Sequence, residues 1–263
     1  MGFMRRALAG CLALSVAAPP LGVFLVARRM SLMSDVLQHG VLPGIALGAA
    51  VGGLSVWAMG LGGVVAGLIV ALLAGWLARR TGGGEDSQLA GLYLLALAAG
   101  VALVSAQRGV DLTHLLFGSV LAVDDAALLA MAGAATLTLP VLAAIWRPLV
   151  MESLDPGPRG GLWHGCFLAL VVICVVAGFA ALGTLMSVGL MMLPAIAARH
   201  WAGSLSGQTC LAVALAIAAS ALGLSISFNV EIPAGPAIVL TAGAFWVVSL
   251  ILGPRGGLAR GAR

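Results

Sequence analysis

No lysine occurs anywhere in the 263 residues; all thirteen basic residues are arginine. A phosphate-cradling P-loop requires a lysine, so the chain hydrolyses no ATP by that route. Charge of either sign is scarce, at 8% of residues, where an ordinary soluble domain carries about a quarter. The net charge of +4 comes from arginines in short loops. No basic cluster is interleaved with aromatics, which excludes a nucleic-acid-binding face. Cys11, Cys166, Cys174 and Cys210 stand singly in apolar sequence without paired spacing, so they indicate neither a zinc knot nor a disulfide framework. There is no His-Glu-x-x-His pair, no Gly-x-Ser-x-Gly elbow and no second carboxylate near the one at Asp35, which argues against an intramembrane enzyme.

What is abundant is apolar sequence. Hydrophobic residues make up 62% of the chain and the mean hydropathy is +1.15, which marks a polytopic membrane protein. Apolar segments fall at about 7–27, 36–55, 57–78, 89–107, 126–147, 162–181, 184–199, 208–228 and 236–252, most close to the roughly 20 residues a bilayer requires. The expected fold is an all-α transmembrane bundle of eight or nine helices forming one domain over 1–263. Residues 1–20 imitate a signal peptide, but the apolar run continues through Val26, long enough to span, and reads as the first transmembrane helix.

Arginine placement orients the bundle. With Arg28, Arg29, Arg79, Arg80, Arg147, Arg159, Arg199, Arg255, Arg260 and Arg263 inside, only Arg5, Arg6 and Arg108 fall outside, a strong positive-inside bias. Nine crossings then put the N-terminus outside and the C-terminus in the cytoplasm. Small residues at fourfold spacing, as at Gly63 and Gly67, imply close helix packing. Asp124 and Asp125 precede a helix and suit its positive end. The segment from Gly183 to Arg199 reads as a short crossing broken by Gly189 and Pro194, and broken helices are common in transport paths. His164 and His200 stand beside Trp163 and Trp201 at expected cytoplasmic ends, where anchoring in the interface is their expected role. Met186, Met191 and Met192 read as gap-filling side chains.

The stretch around which the chain is organised runs from Arg28 to Gly44. Asp35 and His39 are four residues apart in sequence otherwise apolar enough for lipid, so a helix projects both from one face, about a turn apart. Ionisable groups within a membrane are costly and usually functional. Pro43 has no N–H to give the carbonyl of His39, and Gly40 and Gly44 remove bulk beside it, permitting close approach by a helix or an ion. A carboxylate with a neutral imidazole suits Zn(II), Mn(II) and Fe(II) alike; zinc is narrowly preferred. Glu231, the only acid after Asp155, lies in an expected outer loop, where it is either simply hydrated or at the entrance of the path. Asp111 and His114 fall in a stretch too short to span.

Three stretches together carry a family resemblance. They are Arg28-Arg29-Met30-Ser31-Leu32 leading to Asp35-x-x-x-His39-x-x-Leu42-Pro43-Gly44, then Gly189-Leu190-x-x-Leu193-Pro194-Ala195 ending in Ala198-Arg199, then Pro233-Ala234-Gly235-Pro236. This pattern resembles the membrane permeases of manganese, zinc and iron ABC importers over almost the whole chain. Leu115-Leu116-Phe117-Gly118 and Asp155-Pro156 match in kind and order. The resemblance implies a fold similar to the permeases of vitamin B12 and iron-siderophore importers, in the bacterial cytoplasmic (inner) membrane. It implies a homodimer with the path along its axis, two ATPase subunits beneath, and an external or periplasmic metal-binding protein delivering the ion. Asp35 and His39 match positions expected to touch the metal. Glu152, Asp155, Pro156 and Arg159 lie in the connection, about 148–164, expected to couple to the ATPase. Two departures stand out: Gln38 replaces the usual serine before the histidine, a small hydroxyl becoming an amide that can still orient a ligand, and Gly157-Pro158-Arg159-Gly160-Gly161 replaces a short Ala/Arg-rich helix.

The expected role is therefore a non-enzymatic permease subunit that moves a divalent metal ion, held transiently, with no permanently bound cofactor and with ATP hydrolysis on a separate chain. The competing class is a secondary transporter in which Asp35, His39 and Glu231 relay protons.

Overall fold

The computed structural model describes residues 2–31, 33–53, 55–81, 85–106, 124–154 and 161–255. Among them are ten α-helices and no strand: α1 (Gly2–Ala27), α2 (Met33–Gly40), α3 (Leu42–Gly52), α4 (Val56–Thr81), α5 (Glu85–Ala106), α6 (Asp125–Leu154), α7 (Leu162–Leu182), α8 (Thr184–Arg199), α9 (Leu205–Val230) and α10 (Ala234–Leu252). Six of these are long and apolar enough to cross a membrane alone, and Ala90–Ser105 and Thr184–Arg199 are shorter apolar helices. With α2 and α3 taken end to end as one passage, the described helices form nine passages through the bundle.

Side-chain pairs fix the direction of each passage. Arg6 meets Asp125, a Cβ on Gly10 would meet Met131, and Arg28 bonds Leu149. Residue numbers rise together along this seam, so α1 and α6 are parallel. Parallel helices need an odd number of passages between them, which α2–α3, α4 and α5 supply. By the same reasoning α3 and α4 are antiparallel: Gly48 faces Ala58, Gly44 faces Gly62, and Gly40 faces Val70. Arg28, Glu152, His164, His200 and Arg255 gather at one end, which the positive-inside rule assigns to the cytoplasm.

The centre of the bundle is α1. Within its apolar window 78% of residues are buried, against 22% for α4, because α1 is surrounded by α6, α7, α8 and α9 whereas α4 presents an apolar flank outward. Lipid is as apolar as leucine, so burial alone drives little association here. Close backbone packing and interhelical hydrogen bonds supply it instead. Ser15 Oγ lies 2.8 Å from Ser220 Oγ and donates to the Ala216 carbonyl at 3.3 Å, linking α1 to α9. A Cβ on Gly22 would strike the Met191 carbonyl of α8. Gly63 and Gly67 lie against Val176 and Val172 of α7, as their fourfold spacing implied.

One expectation fails here: α8 is not broken. It runs continuously from Thr184 to Arg199 with Pro194 inside it. The helix is buried along most of its length between α1, α7, α9 and α10, and these neighbours hold it helical across the missing donor. Met186, Met191 and Met192 are buried in it as packing residues. At the other end of the molecule Asp124 Oδ1 accepts from the Ala127 N–H at 2.7 Å, and Asp125 in the first turn of α6 pairs with Arg6. Both acids serve the helix start, as read from the sequence.

Candidate functional site

The passage carrying Asp35 and His39 begins where α1 ends. Arg29 takes a left-handed conformation at φ 60°; the Met30 N–H reaches the Leu25 carbonyl at 2.9 Å and the Arg29 N–H reaches Val26 at 3.2 Å. This pair of bonds closes a Schellman turn and turns the chain back into α2. That helix stops at Gly40, and α3 starts at Leu42 with Pro43 in its first turn. Val41 between them keeps helical dihedrals, φ −84° and ψ −14°; its N–H bonds the Leu37 carbonyl and its carbonyl accepts from the Ile45 N–H, both at 3.0 Å, so the passage is interrupted for one residue beside the proline and its helical bonding continues on both sides. Gly44 sits directly against the Gly62 carbonyl, and Gly62 against the Gly44 carbonyl, so any side chain at either would strike backbone. Gly40 meets Val70 only at an ordinary 3.4 Å. The glycines thus admit a neighbouring helix, chiefly at Gly44.

The short α2 is two-faced. Met33, Ser34, Leu37, Gln38 and Gly40 are buried, while the Asp35 side chain is 56% exposed and that of His39 24%. His39 Nδ1 lies 3.0 Å from the main-chain oxygen of Asp35. A carbonyl only accepts, so Nδ1–H is the donor in this bond and Nε2 is the ring nitrogen left to face a ligand. The carboxylate itself stands off at 3.8 Å from Nδ1, too far for a hydrogen bond. The two groups are thus side by side without being spent on each other. Tyr93 of α5 holds the imidazole edge-on, with ring centroids 5.5 Å apart.

Gln38 does not orient this ligand. It lies on the buried face, where its Nε2 has no hydrogen-bond partner among the described residues, as is true of Ser34 Oγ one turn earlier. The main-chain oxygen of Asp35 does the work expected of the amide. Glu231 stands far from the pair, exposed at the opposite end of α9, where it takes φ 58° as the C-terminal cap. Ser227 Oγ donates to the Ile232 carbonyl at 2.7 Å and tightens that turn. No group of three His, Cys, Asp or Glu residues able to hold a metal occurs among the described residues.

A second polar centre was not anticipated. Arg28, read from sequence as a topology marker and as the start of the motif stretch, is buried at the junction of α1, α6 and α7. Its guanidinium donates to Glu152 at 3.0 Å, Ser153 at 3.3 Å and the Leu149 carbonyl at 3.3 Å. It also donates to His164 Nδ1 at 3.2 Å and lies 5.1 Å from the Phe167 ring centroid. His164 is therefore a buried partner of Arg28, and the interfacial position belongs to exposed Trp163. Glu152 turns inward to the same arginine. Asp155, Pro156 and Arg159 lie outside the described residues, as do Asp111 and His114. The only sequence signal for this junction was an acid at the end of a long apolar run facing an Arg-Arg pair, and nothing local tied them together.

Comparison with known proteins agrees with this architecture. The ABC 3 transport family matches residues 1–253. The chain is 32% identical over 260 residues to the "Manganese import system permease protein ScaB" of Streptococcus parasanguinis, covering 96% of this chain and 91% of that one. It is 29% identical over 257 residues to the "Chelated iron transport system membrane protein YfeD" of Yersinia pestis, covering 95% and 85%. Among solved structures, "PsaBC from Streptococcus pneumoniae in complex with Fab" superposes with a TM-score of 0.86 at 28% identity, over 100% of this chain and 96% of that one. These relatives are named for manganese and iron, and the narrow preference for zinc finds no support in them. The chain belongs to the ABC 3 transport family and is a multi-pass bacterial membrane permease of the metal-importer type.

Proposed function

We propose that this chain is the permease of a manganese importer, and that two copies face each other across Asp35 and His39. The observation that carries this reading is the exposure of an ionisable pair on α2 within a lipid-embedded bundle. Such a face is tolerated only against protein or a water-filled passage. A second copy of α2 would bring two carboxylates and two imidazoles to the axis. Carboxylate oxygen suits Mn(II), which binds nitrogen and oxygen donors most weakly of the first-row series, and weak binding favours release. The names of the relatives support manganese first and iron second.

An external binding protein would deliver the ion at the end marked by Glu231, and paired ATPase subunits would supply the energy. Glu152, held by Arg28, fixes the base of the connection that contains Asp155, Pro156 and Arg159, and so sets where that connection meets the ATPase. Membership of an ABC family weighs against the proton-relay alternative, as does the isolation of Glu231 from the pair.

ATP-driven uptake of radioactive Mn(II) into proteoliposomes holding the complete transporter tests the proposal. Asp35→Ala and His39→Ala are each expected to reduce uptake at least about tenfold, the lower range for loss of a metal-site group, with assembly retained. Normal uptake by both variants, or uptake driven by a pH gradient without ATP, would refute it.

A further inference from the structure

Arg28 and Arg6 each have a carboxylate partner. Two other arginines at the cytoplasmic end have none among the described residues, and they converge on one cavity. Val26, Ile196, Arg199, His200, Ala202, Gly203, Gln208 and Arg255 line about 510 Å³ there, and no acid is among them. Arg199 ends α8 and Arg255 follows α10, so the pairing is built by the fold rather than by neighbouring sequence.

The walls are fixed. The Arg255 N–H bonds the His200 carbonyl at 3.0 Å, a Cβ on Gly253 would press on His200 Cβ, and Gln208 Nε2 donates to the Ala202 carbonyl at 3.0 Å. The Arg255 guanidinium lies over Gly203, in space that any side chain there would occupy. Val26 and Ile196 make the inner part apolar, and exposed Trp201 adjoins the cavity in sequence.

We propose that this cavity binds a phosphate oxyanion between Arg199 and Arg255, in the position an anionic phospholipid headgroup occupies at the cytoplasmic leaflet. Guanidinium forks match phosphate oxygens, basic pockets between transmembrane helices on this side bind lipid headgroups, and apolar residues beneath a basic rim suit the start of an acyl chain. The ATPase is the less fitting occupant. Val26 and Arg28 are two residues apart, about 200° around a helix, and Arg28 faces the junction with Glu152 while Val26 faces the cavity. The cavity is thus on the far side of α1 from the coupling connection.

Native mass spectrometry of the full-length chain, with any subunits that copurify, tests this by titration with phosphatidylglycerol, phosphatidylcholine or inorganic phosphate. Phosphatidylglycerol is expected to be retained over phosphatidylcholine. The double variant R199Q/R255Q is expected to weaken retention roughly 25-fold, about fivefold for each arginine near the membrane surface. R80Q removes one charge at the same end, off the cavity, and is expected to weaken it no more than about twofold. Gly203→Ala keeps every charge but displaces the Arg255 guanidinium, the flexible end of a side chain, and is expected to weaken retention several-fold while the protein stays folded. Displacement of the lipid by millimolar inorganic phosphate, lost in R199Q/R255Q, would support the oxyanion site and identify free phosphate as its source. Equal retention of both lipids without phosphate binding would overturn the proposal. So would R199Q/R255Q losing a copurifying subunit while lipid and phosphate binding stay unchanged.

Discussion

Two crossings contain a proline after a glycine-bearing turn, and they respond differently. The passage of α2 and α3 is interrupted for one residue at Val41, beside Pro43, whereas α8 runs through Pro194 without interruption. Both prolines remove one donor, so the proline alone does not decide. Along most of its length α8 is buried between α1, α7, α9 and α10. Along α3, by contrast, Leu47 and Val51 are exposed, while the opposite side touches α4 backbone to backbone at Gly44 and Gly48. α3 is held on one side by the α4 seam and by α5, where a Cβ on Gly100 would meet Leu42 and Pro43, and is open on the other; the interruption leaves the Asp35–His39 pair on the eight-residue α2. Broken passages of this kind place irregular backbone where a membrane protein lines a path.

This contrast gives a ranked set of expected outcomes. Gly44→Ala should be the most damaging, because the new Cβ meets the Gly62 carbonyl and the Ala66 Cβ and backbone cannot step aside. Overpacking of this kind costs about 3 kcal/mol, measurable as a lowered unfolding midpoint by tryptophan fluorescence in detergent. Gly189→Ala in α8 meets only the Val239 side chain and should cost about 1 kcal/mol. Gly60→Ala, with nothing within 4 Å, serves as the reference and should be neutral or slightly stabilising. Equal costs at Gly44 and Gly60 would break the comparison.

Replacing the prolines sharpens it. Pro43→Ala allows α2 and α3 to fuse, and transport should fall several-fold with the protein still folded. Pro194→Ala should leave transport unchanged and stability within about 1 kcal/mol, since the donor it restores enters a helix already held by its neighbours. A gain in stability is expected at the turn before α2. Arg29→Gly relieves the left-handed backbone at φ 60° and should stabilise the protein by about 1 kcal/mol.

Much of the fold was legible because lipid makes apolar length a direct signal. The segment read as 162–181 is α7 at Leu162–Leu182, and the one read as 236–252 is α10 at Ala234–Leu252. The Asp35–His39 spacing likewise carried straight through to one face of α2. What sequence did not reveal depends on which elements meet. Nothing near Pro194 signals that four helices enclose it. Nothing near Gln38 says that its side chain turns inward. Arg28 and Arg29 are neighbours in sequence, yet one is buried against Glu152 and His164 while the other is the left-handed cap of α1. The same blindness to tertiary partners hid the pairing of Arg199 with Arg255.

The most direct measurement of the ion path is electron paramagnetic resonance of Mn(II) held in the complete transporter, with nitrogen couplings read by electron–nuclear double resonance. The account predicts an imidazole nitrogen coupling that disappears in His39→Ala, and weaker Mn(II) retention in Asp35→Asn. An unchanged coupling in His39→Ala, with retention intact in Asp35→Asn, would contradict the assignment of these two side chains to the ion.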